Sequence, residues 1–340
     1  MALFLCLCMV AACTKLNPGR SAALDAAGQT ARQGVEKARE ANVLLQEGEQ
    51  MAAAMALLTE AQALASEAVS LYQDGKAEAS TDATVLVDYG DALKLTGDLD
   101  LAALAYASAT EYAPSNASYW LKLGKTRVLL GPTHTKSALE ALDRCIKSIG
   151  PADDANLIAQ AHVAQGDVYW RSQLYELAET AYTQSVAAIS DYAPGHLGLA
   201  GLYARRGEVA RAVTEIEGIG AIAREFQMLL SQRLSDALAQ MHRDRMVFSD
   251  TAGDHLAYAK LLSRVGLSPQ ILLALERSIA LDESNYVAWN MLGSISAQTG
   301  DPERARFAFT RSLELKPDQE FTRMALDRVS VVQETDEKKD

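Results

Sequence analysis

A small residue recurs along the chain at Gly90, Gly124, Gly166, Ala200, Ala259 and Gly293, with successive spacings of 34, 42, 34, 59 and 34. Repetition on this scale constrains a fold more than length or composition does. A supersecondary unit too small to bury its own apolar face must stack on copies of itself. Seven positions after the small residue stands a glycine, at Gly97, Gly131, Gly207, Gly266 and Gly300, with Gln173 as the exception. Glycine reaches positive φ without steric cost, so this position closes a helix. Further on, Ala102, Ala138, Ala178, Ala212, Ile271 and Ala305 are each followed by a bulky residue, namely Tyr106, Leu142, Tyr182, Ile216, Leu275 and Phe309. Small residues then return at Ala109, Cys145, Ser185, Ser278 and Ser312, while Ile219 departs from the pattern. The order predicts helix, tight turn, helix. Small residues let two antiparallel helices approach, and the large residue fills the groove between neighbouring repeats. With 49% apolar residues, only 6% aromatics and abundant Ala and Leu, the architecture is all-α.

The most complete copies are 83–116, which closes with Pro114, and 286–319, which carries Trp289, Leu292, Gly293, Gly300, Ala305, Phe309 and Pro317. On these residues the chain resembles the tetratricopeptide repeat (TPR) family over roughly residues 83–319. The resemblance implies a right-handed superhelical solenoid of helix-turn-helix repeats. Four repeats are expected in a block at 83–220 and two in a block at 250–319. Between them, 221–249 is an irregular helical insertion, centred on Ala221–Phe248, that could bend the array. Ala41, Gly48, Ala53 and Leu57 fit the repeat template until Glu60 breaks it, so 13–82 reads as a linker and an N-terminal helical cap. At the other end, Phe321, Ala325, Val329 and Val332 predict an apolar stripe that covers the last repeat, making 320–340 a capping helix and a polar tail.

In this family the first helices of the repeats line a groove that holds partner proteins or peptides. Transferred to the matching positions, the resemblance implies a face made by Asp88, Asp91, Lys94, Lys122, Lys125, Asp167, Trp170, Arg171, Arg205, Lys260 and Asn290, with Val87, Leu121, Leu197 and Met291 beside them. Trp170 is the strongest single candidate, because an aromatic side chain offers a large contact area. The arrangement lacks the Lys/Asn/Lys/Arg set that clamps a C-terminal carboxylate in chaperone-binding members.

The first dozen residues read differently from the rest. The apolar run ALFLCLCMVAA ends in small residues immediately before Cys13, and polar sequence follows. Val10-Ala11-Ala12-Cys13 resembles the lipobox of bacterial lipoproteins, which implies a signal peptide at 1–12 and lipidation of Cys13. Thr14 stands where many Gram-negative bacteria place a retention Asp, which favours the outer membrane, facing the periplasm. Cys6 and Cys8 would leave with the peptide, so Cys145 would remain the one thiol. A net charge of −12 without a Lys/Arg cluster argues against nucleic acid as a partner.

Candidates for chemistry are few. Gly131-Pro-Thr-His-Thr-Lys136-Ser137 lacks the spacing and second glycine of a phosphate loop, and Gly218-Ile-Gly220 lacks the third glycine of a dinucleotide fingerprint. His162, His196 and His255 occupy the position where Trp120 and Trp289 stand in other repeats, with no carboxylate or Cys at metal-ligand spacing. Cys145 replaces a small packing residue, and Asn116-Ala-Ser118 matches a glycosylation acceptor only by its three residues. No catalytic residue, cofactor, metal or small-molecule substrate is expected. The expected function is that of an interaction scaffold assisting an envelope complex, such as pilus, secretion or outer-membrane machinery. The alternatives are a cytosolic adaptor or co-chaperone, or a regulatory subunit of a partner enzyme.

Overall fold

A computed structural model describes residues 18–47, 51–150, 155–219, 224–243, 249–266 and 268–336. The leader at 1–12 and Cys13 lie outside the described residues. Among the described residues the structure is helical throughout, and it divides into two compact units, one running to Gly195 with 223–225, the other holding His196–Ile222 and Phe226 onward. The first unit contains α1 (Pro18–Glu47), α2 (Met51–Asp74), α3 (Ala83–Thr96), α4 (Leu99–Tyr112), α5 (Ala117–Leu130), α6 (Thr135–Ser148), α7 (Ala155–Arg171) and α8 (Tyr175–Ala188). The division falls near the start of α9 (Ala193–Arg205). The second unit continues with α10 (Val209–Gly218), α11 (Arg224–Arg243), α12 (Ala252–Val265), α13 (Ser268–Leu281), α14 (Tyr286–Gln298), α15 (Pro302–Leu315) and α16 (Glu320–Asp336).

The turn inside each helix pair is set by one residue. Gly97, Gly207, Gly266 and Gly300 have φ between 75° and 91°, and Gln173 adopts φ 61° at the same point. In four of the pairs the residue after it donates its N–H to a carbonyl one turn back: Asp98 to Leu93, Leu174 to Tyr169, Glu208 to Tyr203 and Asp301 to Ser296, each at 2.9 Å. These bonds satisfy carbonyls that a helix end would otherwise leave open. Gln173 therefore makes the turn of its glycine counterparts while carrying a Cβ into the left-handed region. Where two extra residues enter, Pro132–His134 forms a short 3₁₀ turn after Gly131, and α6 starts directly behind it.

The helices of a pair touch where glycine faces a ring or a branched side chain. A Cβ added at Gly90 would lie 2.7 Å from the Tyr106 ring, at Gly124 2.7 Å from Leu142, at Gly166 2.5 Å from Tyr182 and at Gly293 2.6 Å from Phe309. The bulky residue thus lies over the small residue of its own repeat, not in the groove toward the next, as the sequence had suggested. Tyr106, Leu142, Tyr182 and Phe309 are all buried by this contact. Later on the second helix, Ser278 and Ser312 donate hydroxyl hydrogens to the carbonyls of Ala252 (2.7 Å) and Tyr286 (2.9 Å), at the start of the first helix of the same pair. Ile219 breaks the small-residue series because α10 ends at Gly218, leaving no helix there to approach.

The ends and the insertion refine the expected outline. The N-terminal cap is a full helix pair: α1 packs on α2 along its length, and both touch α3 as the helices of a preceding repeat would. Its close approach is at Gly34, whose Cβ would meet the Ala61 carbonyl at 3.1 Å. Glu60, where the template fails, sits opposite Lys37 at 3.6 Å. The insertion is built around α11, whose Leu230, Leu234, Ala237, Leu238 and Met241 form one buried stripe. It leaves the repeat contact intact, because α10 packs directly on α12. At the C-terminus, Thr322 is buried and Ala325 and Val329 are partly buried, whereas Phe321 is 88% exposed and lies off the stripe assigned to it. Its neighbour Thr322 takes the inward place and contacts the Gln319 side chain.

Two substitutions test this account of the pair. Gly166→Ala should cost about 1–3 kcal/mol, because the Tyr182 ring has nowhere to move within a closed pair. Gln173→Gly should instead gain about 0.5–1 kcal/mol by relieving the left-handed strain. Urea unfolding of the two variants against the parent reads both signs.

Candidate interaction face

The first helices of the first unit bring charged side chains into a continuous set. Asp91 follows Gly90 on α3, accepts the Tyr106 hydroxyl hydrogen at 2.6 Å and pairs with Lys122 of α5 at 2.6 Å. The same device recurs two pairs on, where Tyr182 donates to Asp167 at 2.7 Å. Between them Lys125, which follows Gly124, donates to Gln160 of α7 at 2.7 Å. Asp88 pairs with Arg32 of α1 at 3.0 Å. Arg32 was not among the residues inferred from sequence, because the long helices of the N-terminal pair hide its phase. The signal for it is Tyr72, which stands 34 residues before Tyr106 and marks α1–α2 as a repeat.

Electrostatics distinguish the members of this face. Burial pushes the Lys94 ammonium below the ordinary lysine value, with Asp91 opposing the shift and Lys122 adding to it. Lys94 nonetheless keeps much of its surface in contact with solvent. Crowding by neighbouring residues is the largest cause of the shift, while the side chain stays reachable from solvent. Among the described residues no hydrogen bond or ion pair reaches its ammonium. Lys125 is lowered by burial too, and Lys94 adds to that shift. Asp88 is raised by burial, against the pull of Arg32.

Other inferred positions serve the fold. Val87, Leu121 and Leu197 are buried in the helix stack and cannot face a partner. Trp170 is partly buried with its ring edge-on to Tyr175, centroids 5.7 Å apart, and Arg171 donates to the Val128 carbonyl at 3.1 Å across the two first helices. In the second unit Lys260 pairs with Glu217 at 2.7 Å, and Met291 joins Lys260, Val213, Ile216 and Arg264 around a cavity of about 340 Å³. Asn290 and Arg205 are partly exposed on α14 and α9.

The chemical motifs resolve into helix ends and packing. Asn116 caps α5, accepting from the Ser118 N–H at 3.1 Å, which explains the Asn-x-Ser match. In the lysine-containing turn, Arg127 donates to the Ser137 carbonyl at 3.0 Å, binding the turn to α5. Each histidine has a local partner: His162 meets Gln165 at 3.0 Å, His196 meets Glu215 at 2.7 Å and His255 meets Asp250 at 2.7 Å. Carboxylates therefore do stand beside two of them, at separations that sequence spacing did not reveal. Among the described residues no three His, Cys, Asp or Glu side chains converge, and no helix is long and apolar enough to cross a membrane. Burial pushes the Cys145 thiol up to about 11, away from the reactive thiolate.

The lysine shifts carry a signed consequence. A lysine whose folded pKa is below its unfolded value of about 10.5 costs stability while charged, and the cost fades as pH rises toward that value. Lys94→Met should therefore raise the thermal midpoint at pH 7, and the gain over the parent should shrink by about pH 10. Paired melting curves at the two pH values decide it; a gain that grows with pH would contradict the assignment.

Two family models, each described as a tetratricopeptide repeat, match residues 157–219 and 286–319. No curated protein sequence matches the chain. Among solved structures, MamA is 19% identical over 69% of this chain and 92% of its own, with a TM-score of 0.31. A tetratricopeptide repeat protein from Parabacteroides merdae is 16% identical over 89% and 99%, with a TM-score of 0.38. YrrB, a TPR protein with an unusual peptide-binding site, is 13% identical over 75% and 96%, with a TM-score of 0.32. Residues 157–219 and 286–319 match directly, and the same left-handed turn and glycine-to-ring contact recur at 83–116. The chain carries tetratricopeptide repeats at these residues, and such helix pairs form a protein-interaction scaffold.

Proposed function

We propose that this scaffold works in a bacterial cell envelope, tethered by lipid at Cys13, where it holds a segment of another envelope protein during assembly of a larger complex. The observation that carries the binding role is the face of Asp88, Asp91, Lys94, Lys122, Lys125 and Asp167. It keeps two lysines whose charge burial disfavours among residues that already satisfy one another. Lys125 has a neutral partner in Gln160, but Lys94 has none among the described residues, and a ligand that brings an acceptor recovers the cost of its burial on binding. The tether rests on Val10-Ala11-Ala12-Cys13 and on the abrupt change to polar sequence after it. Outer-membrane delivery and a part in pilus, secretion-channel or outer-membrane machinery follow from the same reading.

Two measurements bear on the two halves of the proposal. Cells fed a labelled fatty acid should mark the wild-type chain and leave Cys13→Ser unmarked; label that persists in the variant, or never enters the parent, ends the tether. For the face, in-cell crosslinking followed by identification of bound proteins should recover a defined envelope protein with the parent chain. A Lys94→Met/Lys125→Met double variant should lose about tenfold or more of that product while folding at least as stably. Undiminished crosslinking would exclude the face.

A further inference from the structure

A second surface, which shares no residue with the charged face, lies against the first repeat. The loop between α2 and α3 turns sharply: Lys76 has φ 54°, and a Cβ at Gly75 would strike Leu24 at 2.7 Å. The 3₁₀ turn Ala77–Ala79 packs on α2 and α3, and an open cavity of about 450 Å³ lies between it and α4. Its floor is Leu86, Tyr89 and Ala105, and its ridge is Leu101 and Leu104, which are 48% and 64% exposed. Two leucines three apart on a helix stand side by side, so their exposure forms a continuous apolar strip rather than isolated contacts.

Acidic side chains flank the strip. Glu78 is the one charged residue lining the cavity. Asp98 caps α4 three residues before Leu101, and Asp100 stands four residues before Leu104, so helical spacing sets both carboxylates beside the strip. Burial raises the Tyr89 hydroxyl above its ordinary value, and Glu78 and Asp98 add to the shift.

Much of the backbone of the walls is already paired. Ala79 donates to Lys76 at 3.1 Å and Ser80 to Ala77 at 2.9 Å, and α4 is hydrogen-bonded within itself. An extended peptide would find few main-chain partners along α4, whereas a helix arrives with its own bonds made and packs its ridge beside a leucine ridge. We propose that this groove docks an amphipathic helix of a partner protein, with an apolar stripe flanked by lysine or arginine. The apolar floor would take the stripe and the rim of Glu78, Asp98 and Asp100 the flanking cations. The surface is independent of the first-helix face and would let one scaffold hold two partners at once.

The test uses the full chain and a dye-labelled designed helix of about 18 residues, with leucines at i, i+3, i+4 and i+7 spacing and lysines elsewhere. Fluorescence anisotropy should show saturable binding. The Leu101→Ser/Leu104→Ser double variant should weaken it about tenfold and Glu78→Lys several-fold, while Lys125→Glu leaves it unchanged. Because both leucines are exposed, the double variant should keep the parent's melting curve. A peptide of the same composition with its leucines scrambled separates this from attraction to a chain of net charge −12. The proposal is overturned if the scrambled peptide binds equally, if a glutamate-flanked helix binds as well as the lysine one, or if the leucine variant binds undiminished. It is also overturned if Lys125→Glu abolishes binding, or if sedimentation shows a dimer of the parent chain that the leucine variant dissolves, which would make a second copy the occupant.

Discussion

The contact between a glycine on the first helix and a bulky side chain on the second sets the geometry from which everything else here follows. At Gly90, Gly166 and Gly293 a ring sits where a Cβ would stand, closer than any side chain would permit. That closeness fixes the separation of the two helices, and with it the length of turn that can join them. In two pairs the contact also reaches the surface. Tyr106 and Tyr182 lie flat on their glycines and extend their hydroxyls to the next residue of the first helix, Asp91 and Asp167. The packing residue therefore orients the carboxylate on the interaction face. Where the bulky residue is Leu142, it has no hydroxyl, and Lys125 in the corresponding place turns to Gln160 of the following first helix.

A face built in this way mixes settled and unsettled charge. Asp91 is held by a tyrosine hydroxyl and a lysine, and Asp88 by Arg32, so their side chains are ordered before any partner arrives. Burial lowers both Lys94 and Lys125, and among the described residues only Lys125 of the two has a side-chain partner, Gln160. Preorganised acceptors fix orientation, and underpaired cations leave free energy to be recovered on contact. This division of roles needs no catalytic group, and it accounts for the mixed signs along the face better than a uniformly acidic or basic groove would.

How much of this was readable beforehand depended on the range of the interaction. The turn at 97, 173, 207, 266 and 300 is a local matter of φ, and even the exception at Gln173 was visible, because the surrounding residues impose the turn whatever occupies it. The partner of the bulky residue was misassigned, since spacing along the chain does not say which of two neighbouring grooves a ring enters. Phe321 was placed on the buried stripe for its hydrophobicity, yet Thr322 takes that place by bonding to Gln319 at the start of the helix. The carboxylates beside His196 and His255 come from 19 positions after the one and 5 before the other, distances that only the folded pair and its cap bring together. The charged residues of the first-helix face were legible from the repeat register, but not which of them would satisfy one another.

The N-terminal pair shows why a longer helix concealed a repeat. Tyr72 keeps the 34-residue phase with Tyr106 and is equally buried, but its antiparallel partner helix α1 runs for 30 residues instead of 14, so the turn glycine moves out of register. Along α1, Leu24 meets Gly75 and Gly34 meets Ala61, which sets Ala27 and Gly28 near Tyr72 where the other pairs have Gly-Asp. No carboxylate of α1 stands there, and the Tyr72 hydroxyl has no hydrogen-bond partner among the described residues. Arg32, one turn on, reaches instead to Asp88 of α3. A Cβ added at Gly28 would stand 3.3 Å from the Arg32 guanidinium and 3.6 Å from the Asp88 carboxylate, within the ion pair that joins α1 to α3. Glycine at 28 leaves that ion pair undisturbed, and the one neutral hydroxyl left unsatisfied beside it costs about 1–3 kcal/mol.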